Sequence, residues 1–154
     1  MAVQWGSIPA RALRNVLLDV EGPKGALQMY FPVRDVLVTR ASGHLELAQA
    51  RDWIRVLEPQ WKHVSKLRVF NDWDLMTSYE SASRRVLTEW VLANRRQFEG
   101  AWFSTRSQLV AMGVAAAGAL TALAGVSMNA TRDRTMFEET LRSNLADSML
   151  PNAR

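Results

Sequence analysis

The chain has 154 residues, of which 48% are hydrophobic, and this is enough for one globular domain with a single core. It contains no cysteine, which excludes disulfides, thiolate nucleophiles and zinc-thiolate sites and favours a reducing, cytoplasmic compartment. Its net charge of +4 arises from arginines scattered among acidic residues, not from a basic run, so nucleic acid binding is not indicated.

Residues 1–25 fit the pattern of the remaining chain poorly. The stretch "ARALRNVLLDV" is compatible with a short helix or with an additional edge strand, and "EGPKG" predicts a turn. We therefore interpret residues 1–25 as an N-terminal extension or edge element and residues 26–150 as the folded domain.

Two strands and a helix are predicted next. Leu27–Phe31 is short and apolar-aromatic, and Asp35–Arg40 resumes after a tight connection, so together they predict a β-hairpin. A turn with the sequence "SGHL" then leads into a helix, whose apolar residues recur at helical spacing as far as Leu57, just before Pro59.

Strands and helices alternate through the rest of the chain. Lys66–Phe70, Gly100–Thr105 and "GVSMNA" predict short strands, and a small-residue helix is expected from about Ser107. Two further helices have apolar stripes, formed by Val86, Leu87, Trp90, Val91, Asn94 and Phe98 in the first and by Phe137, Leu141, Leu145 and Met149 in the second, with Asp133 as N-cap. This order predicts an α/β fold with a mixed, mostly parallel sheet and helices packed against it.

The uncharged segment Ser107–Thr131 is long enough to cross a bilayer if it forms one helix. Alanine and glycine dominate it, however, and its bulky apolar residues are few, so its tendency to insert is weak. Gly125, followed by the β-branched Val126, favours a helix that ends and a buried strand that follows. We therefore expect no membrane span.

The segment "FNDWDLMTSYESASRR", residues 70–85, is predicted to be a loop between a central strand and a helix. Thr77 and Glu80 have the spacing of a capping box at the helix start. Capping does not account for the other polar or aromatic residues of this loop, which are Asp72, Trp73, Asp74, Ser78, Ser81 and Ser83. Because open α/β sheets usually receive ligands and partners at the carboxyl ends of their strands, this loop is the candidate partner site.

The strand order, the "SGHL" turn and the segment "LRVFNDWDLMTSYESASRRVL" resemble the STAS domains, the anti-sigma-factor antagonist family, in their SpoIIAA-like branch. In that family the loop after the third strand carries an acidic residue and then a serine or threonine, which a partner kinase phosphorylates. The resemblance implies that Glu80 matches the acidic residue and Ser81 the phosphoacceptor. Ser83 stands where the family has glycine, and Glu80 where it has aspartate.

Two roles remain open for Ser81 at this stage. A phosphate on it would lie in the first helical turn, where backbone amides and the helix dipole favour negative charge, with Arg84 and Arg85 one turn away. The neighbouring carboxylates would repel that phosphate. An unmodified serine at this position also serves simply to start a helix.

No catalytic, cofactor or metal motif is recognisable. His44 and His63 are the only histidines, and neither has a partner at triad spacing. The alternative to an interaction module is a small Mg-dependent phosphoryl-transfer or hydrolytic enzyme that uses Asp72 and Asp74. We predict instead a non-enzymatic regulatory module without cofactor, which docks a protein partner or self-associates through the loop from Asp72 to Ser83.

Six tryptophans are present, and their spacing separates them into two groups. Trp53, Trp90 and Trp102 are expected in the core. Trp5, Trp61 and Trp73 are not explained by core spacing, and would form part of a contact surface if they were exposed.

Overall fold

The computed structural model describes residues 3–149. Its six strands are β1 (Val16–Glu21), β2 (Gly25–Val33), β3 (Val36–Leu45), β4 (Leu67–Tyr79), β5 (Phe98–Ser104) and β6 (Ser127–Thr131). They form one sheet in the order β1-β2-β3-β4-β5-β6. The first two pairings are antiparallel and the other three are parallel, so the predicted mixed, mostly parallel sheet is confirmed.

Four helices cover the two faces of this sheet. They are α1 (Leu47–Leu57), α2 (Ser81–Ala93), α3 (Gln108–Ala122) and α4 (Arg134–Met149). The first three contribute to a large apolar cluster on one face. Helix α4 packs on the other face together with the short 3-10 turn Ala10–Leu13.

Side chains of β4 point alternately to the two faces of the sheet, so this strand contributes residues to both apolar clusters. Val69 and Trp73 belong to the first cluster, whereas Phe70 belongs to the second, because successive side chains of a strand point to opposite faces. The Phe70 ring stacks on Trp102 with 4.8 Å between ring centroids and meets Phe137 edge-on at 6.0 Å. The centre of the sheet is therefore buried on both sides, as parallel sheets generally are.

The order of elements expected after residue 100, which is strand, helix, strand and helix, is confirmed. The second of these strands, β6, is however not buried as expected: it lies at the edge of the sheet, and its residues are exposed or half-buried. The Ser107 hydroxyl accepts a hydrogen bond from the Val110 amide at 3.2 Å at the start of α3. Asp133 caps α4, since its Oδ1 accepts a bond from the Met136 amide at 3.1 Å. Of the apolar stripe predicted for α4, Phe137, Leu141 and Leu145 are buried, and the side chain of Met149 lies outside the described part of the chain.

The structure also bears on the long uncharged segment. Between residues 3 and 149, no helix has both the length and the apolar character needed to cross a membrane.

The prediction of a loop over residues 70–85 is wrong. Strand β4 continues to Tyr79 and α2 begins at Ser81, so Glu80 alone lies between them. The strand extends this far because it pairs with β3 as far as Leu45↔Tyr79. Thr77 therefore lies in a strand, and the capping box predicted for Thr77 and Glu80 does not form.

A capping box does occur at α1. The Glu46 side chain accepts a bond from the amide of Gln49, and the Gln49 side chain in turn accepts one from the amide of Glu46. These two reciprocal bonds satisfy amides that a helix start leaves unpaired. Glu80 occupies the N-cap position of α2, but its side chain makes no such bond.

The predicted "SGHL" turn is also part of a strand, because β3 continues through it to Leu45. Gly43 makes this path feasible, with a positive φ of 65°. A Cβ atom at this position would overlap the carbonyl oxygen of Lys24 on the neighbouring strand connection. The glycine thus permits a close approach of two backbones inside the sheet instead of a turn.

The fold answers the alternative left open for the N-terminal residues and corrects one helix boundary. Within residues 1–25, both alternatives occur: a 3-10 turn at Ala10–Leu13, and β1, which pairs with β2 as an edge strand. Helix α2 ends at Ala93, so Phe98 belongs to β5 and not to the apolar stripe of that helix.

Candidate functional site

Four charged side chains lie together on the face of the sheet that α4 covers. Arg40 on β3 and Asp72 on β4 are neighbours across the parallel pairing, and both side chains are only 5% exposed. Arg134, the first residue of α4, donates to both Asp72 carboxylate oxygens, with Nη1–Oδ1 at 2.5 Å and Nη2–Oδ2 at 3.1 Å. Its Nη1 also reaches Asp74 Oδ2 at 3.3 Å. This bidentate pair therefore fixes the start of α4 on the sheet.

The N-terminal segment covers this charged cluster. Arg40 Nη2 donates to the backbone carbonyl of Gly6, and the Arg40 guanidinium lies 4.9 Å from the centre of the Trp5 ring. Arg134 Nη2 donates to the carbonyl of Ser7 at 2.6 Å. Trp5, which core spacing did not explain, is accordingly a half-buried cation–π partner.

Burial and the carboxylates act in opposite directions on the two guanidinium groups. Burial lowers the pKa of Arg40, and the charge of Asp72 opposes that change without cancelling it. Burial by itself also lowers the pKa of Arg134. The hydrogen bonds that Arg134 donates to Asp72 and Glu138, together with the negative charge of Asp72, outweigh this effect. The pKa of Arg134 is therefore raised above its ordinary value. The cluster is thus a set of mutually neutralising charges.

This arrangement does not support the magnesium-site hypothesis for Asp72 and Asp74. Asp74 Oδ1 accepts a bond from Ser104 at 2.7 Å, and its Oδ2 lies 3.7 Å from Arg106 Nε. Both carboxylates are thus engaged by cationic or hydroxyl donors. Throughout residues 3–149, no group of three or more acidic or histidine side chains is placed to hold a metal ion.

Trp73 is not part of a contact surface. It is 7% exposed and belongs to the core on the opposite face from the charged cluster. Its indole Nε1 donates to Thr39 Oγ1 at 3.1 Å, and that hydroxyl in turn donates to Asn71 Oδ1 at 2.6 Å. Trp61 is half-buried and stacks on Trp90, with 5.2 Å between centroids.

The remaining predicted partner residues surround the start of α2, and their exposure differs. Ser81 is exposed as the first residue of the helix, whereas Ser83 is fully buried and donates to the Leu45 carbonyl at 3.2 Å. Ser78 and Glu80 are half-buried, and the Ser78 hydroxyl lies 2.7 Å from His44 Nδ1. Of these four residues, Ser81 is therefore the only one that is exposed.

The sequence interpretation missed two exposed apolar side chains on α3, at the same edge of the sheet as Ser81. Ser107 at the start of α3 donates to the carbonyl of Thr77 at 3.3 Å, so α3 begins next to the end of β4. Leu109 and Met112 on α3 are 50% and 62% exposed. The helical spacing of the sequence could have indicated this exposure, because Leu109 and Met112 lie off the stripe formed by the buried residues Val110, Val114 and Ala117.

We name as the docking surface four exposed residues at the carboxyl edge of the parallel strands: Thr77, Ser81, Leu109 and Met112. Thr77 lies near the end of β4, Ser81 is the first residue of α2, and Leu109 and Met112 lie in the first two turns of α3. It combines two hydroxyl groups with two flexible apolar side chains.

Comparison with known proteins supports the fold. No protein-family model and no curated protein matches the sequence. The chain is similar to a solved structure from Shewanella loihica PV-4, described as an uncharacterized protein of the DUF3478 family with a SpoIIAA-like fold. The TM-score is 0.57 at 12% sequence identity, over 80% of this chain and 98% of the Shewanella chain. The protein therefore has a SpoIIAA-like, STAS-like α/β fold, as its sequence led us to expect.

Proposed function

We propose that this protein is a regulatory interaction module, without enzymatic activity, that binds a protein partner through the docking surface. The observation that carries the proposal is the exposed Ser81 at the start of α2, at the same carboxyl edge of the sheet as the exposed apolar residues Leu109 and Met112 of α3. Exposed apolar groups at the carboxyl edge of a parallel sheet favour association, because an interface removes their apolar surface from water at an edge where such sheets usually receive ligands.

Phosphorylation of Ser81 would regulate this contact. The free backbone amides of the first helical turn favour a phosphate there, and Arg85 is exposed one turn further along the helix. The same phosphate would place about two negative charges beside the apolar residues of the docking surface. We therefore expect the modified protein to release its partner.

A second copy of this chain is the other candidate occupant of the docking surface. Helix α3 carries no charged residue from Gln108 to Ala122, so two such helices could approach without charge repulsion. The lack of cysteine suits a reducing compartment, and we propose the cytoplasm as the setting.

The test compares four single variants with the parent protein. Ser81→Glu and Leu109→Asp place charge on the docking surface, Ser81→Ala removes only the hydroxyl, and Ser143→Glu places the same charge at an exposed site on α4. Immobilised protein is exposed to an extract of its source cells, and the captured partner is then titrated in purified form. Light scattering after size exclusion reports self-association of each variant.

A partner or a dimer retained by Ser81→Ala and Ser143→Glu but weakened at least tenfold by Ser81→Glu and Leu109→Asp would support the proposal. An association that all four variants retain equally would show that another surface is used. A protein that stays monomeric and captures nothing specific would contradict the proposed function.

A further inference from the structure

The two edges of the sheet differ in how they are protected. One edge is β1, which carries the exposed acidic residues Asp19 and Glu21 and an irregularity of register between Val16 and Leu18. The other edge is β6 (Ser127–Thr131), which has no charged residue, no proline and an unbroken register against β5. Proteins usually block an exposed edge with features of the first kind, because a free edge pairs with other strands. The β6 edge is therefore left open to pairing.

The backbone groups that β6 leaves free can be identified. The Thr131 carbonyl accepts a hydrogen bond from the Thr105 amide at 3.1 Å, so Thr131 directs its backbone groups toward β5. Successive residues of a strand direct these groups to opposite sides, so Met128 and Ala130 direct theirs toward the free edge. Within residues 3–149, β5 is the only strand that pairs with β6. The amides and carbonyls of Met128 and Ala130 are thus available to another strand.

We propose that this protein forms a homodimer in which β6 pairs antiparallel with β6 of a second copy, about a twofold axis at Asn129. In this register Met128 lies opposite the second copy's Ala130, and each such pair exchanges two backbone hydrogen bonds. All the free groups of both edges are then used, and the two six-stranded sheets become one continuous sheet. No residue of the docking surface lies on β6, so this contact is separate from the proposed function.

The charge distribution around β6 favours a second copy as its occupant. The chain carries no charge from Ser107 to Thr131, so neither β6 nor α3 meets a like charge across the axis. Arg132 follows directly and is three residues from the axis in each copy, so the two arginines lie roughly 20 Å apart along the paired strands. Salt screens repulsion between exposed charges at that distance. Self-pairing therefore incurs no electrostatic penalty at this edge.

Apolar surface beside the edge also favours a symmetric partner. Backbone hydrogen bonds contribute little net free energy to association, so a stable contact must bury apolar groups as well. Leu123, in the turn from α3 into β6, is 90% exposed. An antiparallel neighbour brings the end of its own β6 beside this turn. A second copy thus covers two such leucines, whereas a single extended peptide covers one.

Helix α3 leaves room for the second copy. A Cβ atom at Gly118 would lie 3.5 Å from Met128 Cβ, so this side of α3 lies over β6. Ala115 and Ala122 are three and four residues from Gly118, so they share its side of the helix, and both are exposed. The helix therefore presents small side chains near the edge, which a second sheet can approach closely.

The absence of native cysteine permits a direct test of the register. Asn129→Cys places two thiols at the axis in a non-hydrogen-bonded pair, where the Cα atoms are about 4.5 Å apart and a disulfide can form. Ser127→Cys is the matched control, because it is exposed on the same face of β6 but its two copies would lie roughly 14 Å apart. On mild oxidation, non-reducing gels should show a covalent dimer that forms at least tenfold faster in Asn129→Cys.

Light scattering after size exclusion tests the contact without a cross-link. Ala130→Pro removes an amide that bonds only across the dimer, and Ala130→Lys adds like charges at the edge, so each should weaken the dimer at least tenfold. Ser143→Lys, exposed on α4, should leave it intact, as should Leu109→Asp on the docking surface. If Ala130→Pro does not fold, as judged by its urea midpoint, Ala130→Lys and the cysteine pair decide.

Three results would overturn the proposal. The first is a parent protein that stays monomeric at high micromolar concentration. The second is cross-linking of Ser127→Cys as fast as that of Asn129→Cys, which would indicate random collision. The third is a dimer that Leu109→Asp disrupts and both Ala130 variants retain, which would assign self-association to the docking surface and leave the proposed function standing.

Discussion

Replacement of Asp72 by asparagine should destabilise the protein strongly. Asp72 accepts bonds from both terminal nitrogens of Arg134, and its Oδ2 lies 3.4 Å from Arg40 Nε, at a site where the carboxylate is 5% exposed. Asparagine keeps the shape of the side chain but removes the charge, so two guanidinium groups lose their main counter-ion. Breaking a buried ion pair from one side costs about 3–5 kcal/mol. Because one oxygen acceptor remains, we expect a loss near the lower figure, about 3 kcal/mol.

Urea denaturation followed by tryptophan fluorescence measures this loss as a lower midpoint at unchanged slope. Asp52→Asn is the matched control, since Asp52 pairs with Arg55 at 3.1 Å on an exposed helix surface. Such exposed pairs contribute about 0–1 kcal/mol. The double variant of Asp72→Asn with Arg134→Gln should be less destabilised than the sum of the two single variants, because both changes remove one interaction.

A cost for Asp72→Asn no larger than that of Asp52→Asn would refute the reasoning. It would mean that solvent reaches the charged cluster and screens it, so that the N-terminal segment does not seal that end of the sheet. Additive single variants would lead to the same conclusion.

Two other predictions concern packing and pH. Gly113→Ala should lower stability by about 1–3 kcal/mol, because a Cβ there would overlap the Tyr79 hydroxyl. Gly118→Ala on the same helix should raise stability by up to about 1 kcal/mol, because its new Cβ would lie at an ordinary 3.5 Å from Met128 Cβ. Equal urea midpoints for the two variants would contradict this prediction. Burial raises the pKa of Tyr30, so its contribution to stability is complete below pH 10, the ordinary value, and is lost as the pH rises through the higher folded-state pKa. Absorbance titration of the parent protein should show one tyrosine that ionises at higher pH than normal, and Tyr30→Phe should lack it. Identical curves of stability against pH for the two proteins above pH 10 would contradict the claim that the pKa of Tyr30 is raised.

The order of strands and helices could be predicted from the sequence because the apolar pattern along each element is local. The stripe of Phe137, Leu141 and Leu145 and the apolar run at Leu67–Phe70 each point to an element and a buried face. The extent of β4 could not be predicted in this way. Asp72 and Asp74 looked like loop residues because the side chain that neutralises both is Arg134, which is 62 residues from Asp72 along the chain.

In the candidate site too, local features could be predicted from the sequence and long-range contacts could not. A serine at the start of a helix could be located from sequence, and Ser81 is indeed exposed there. The burial of Ser83 and Trp73 could not, because it depends on how β3 and α1 lie against them.

The bond from Arg134 to the carbonyl of Ser7 joins positions that are 127 residues apart. During synthesis, neighbouring strands such as β2 and β3 can pair as soon as both have left the ribosome, but the α4 side of the sheet must remain uncovered until α4 itself has been made. Phe70 and Trp102 stay open to water throughout that interval. Growing chains that stall before residue 134 should therefore be the species that chaperones hold and that aggregate.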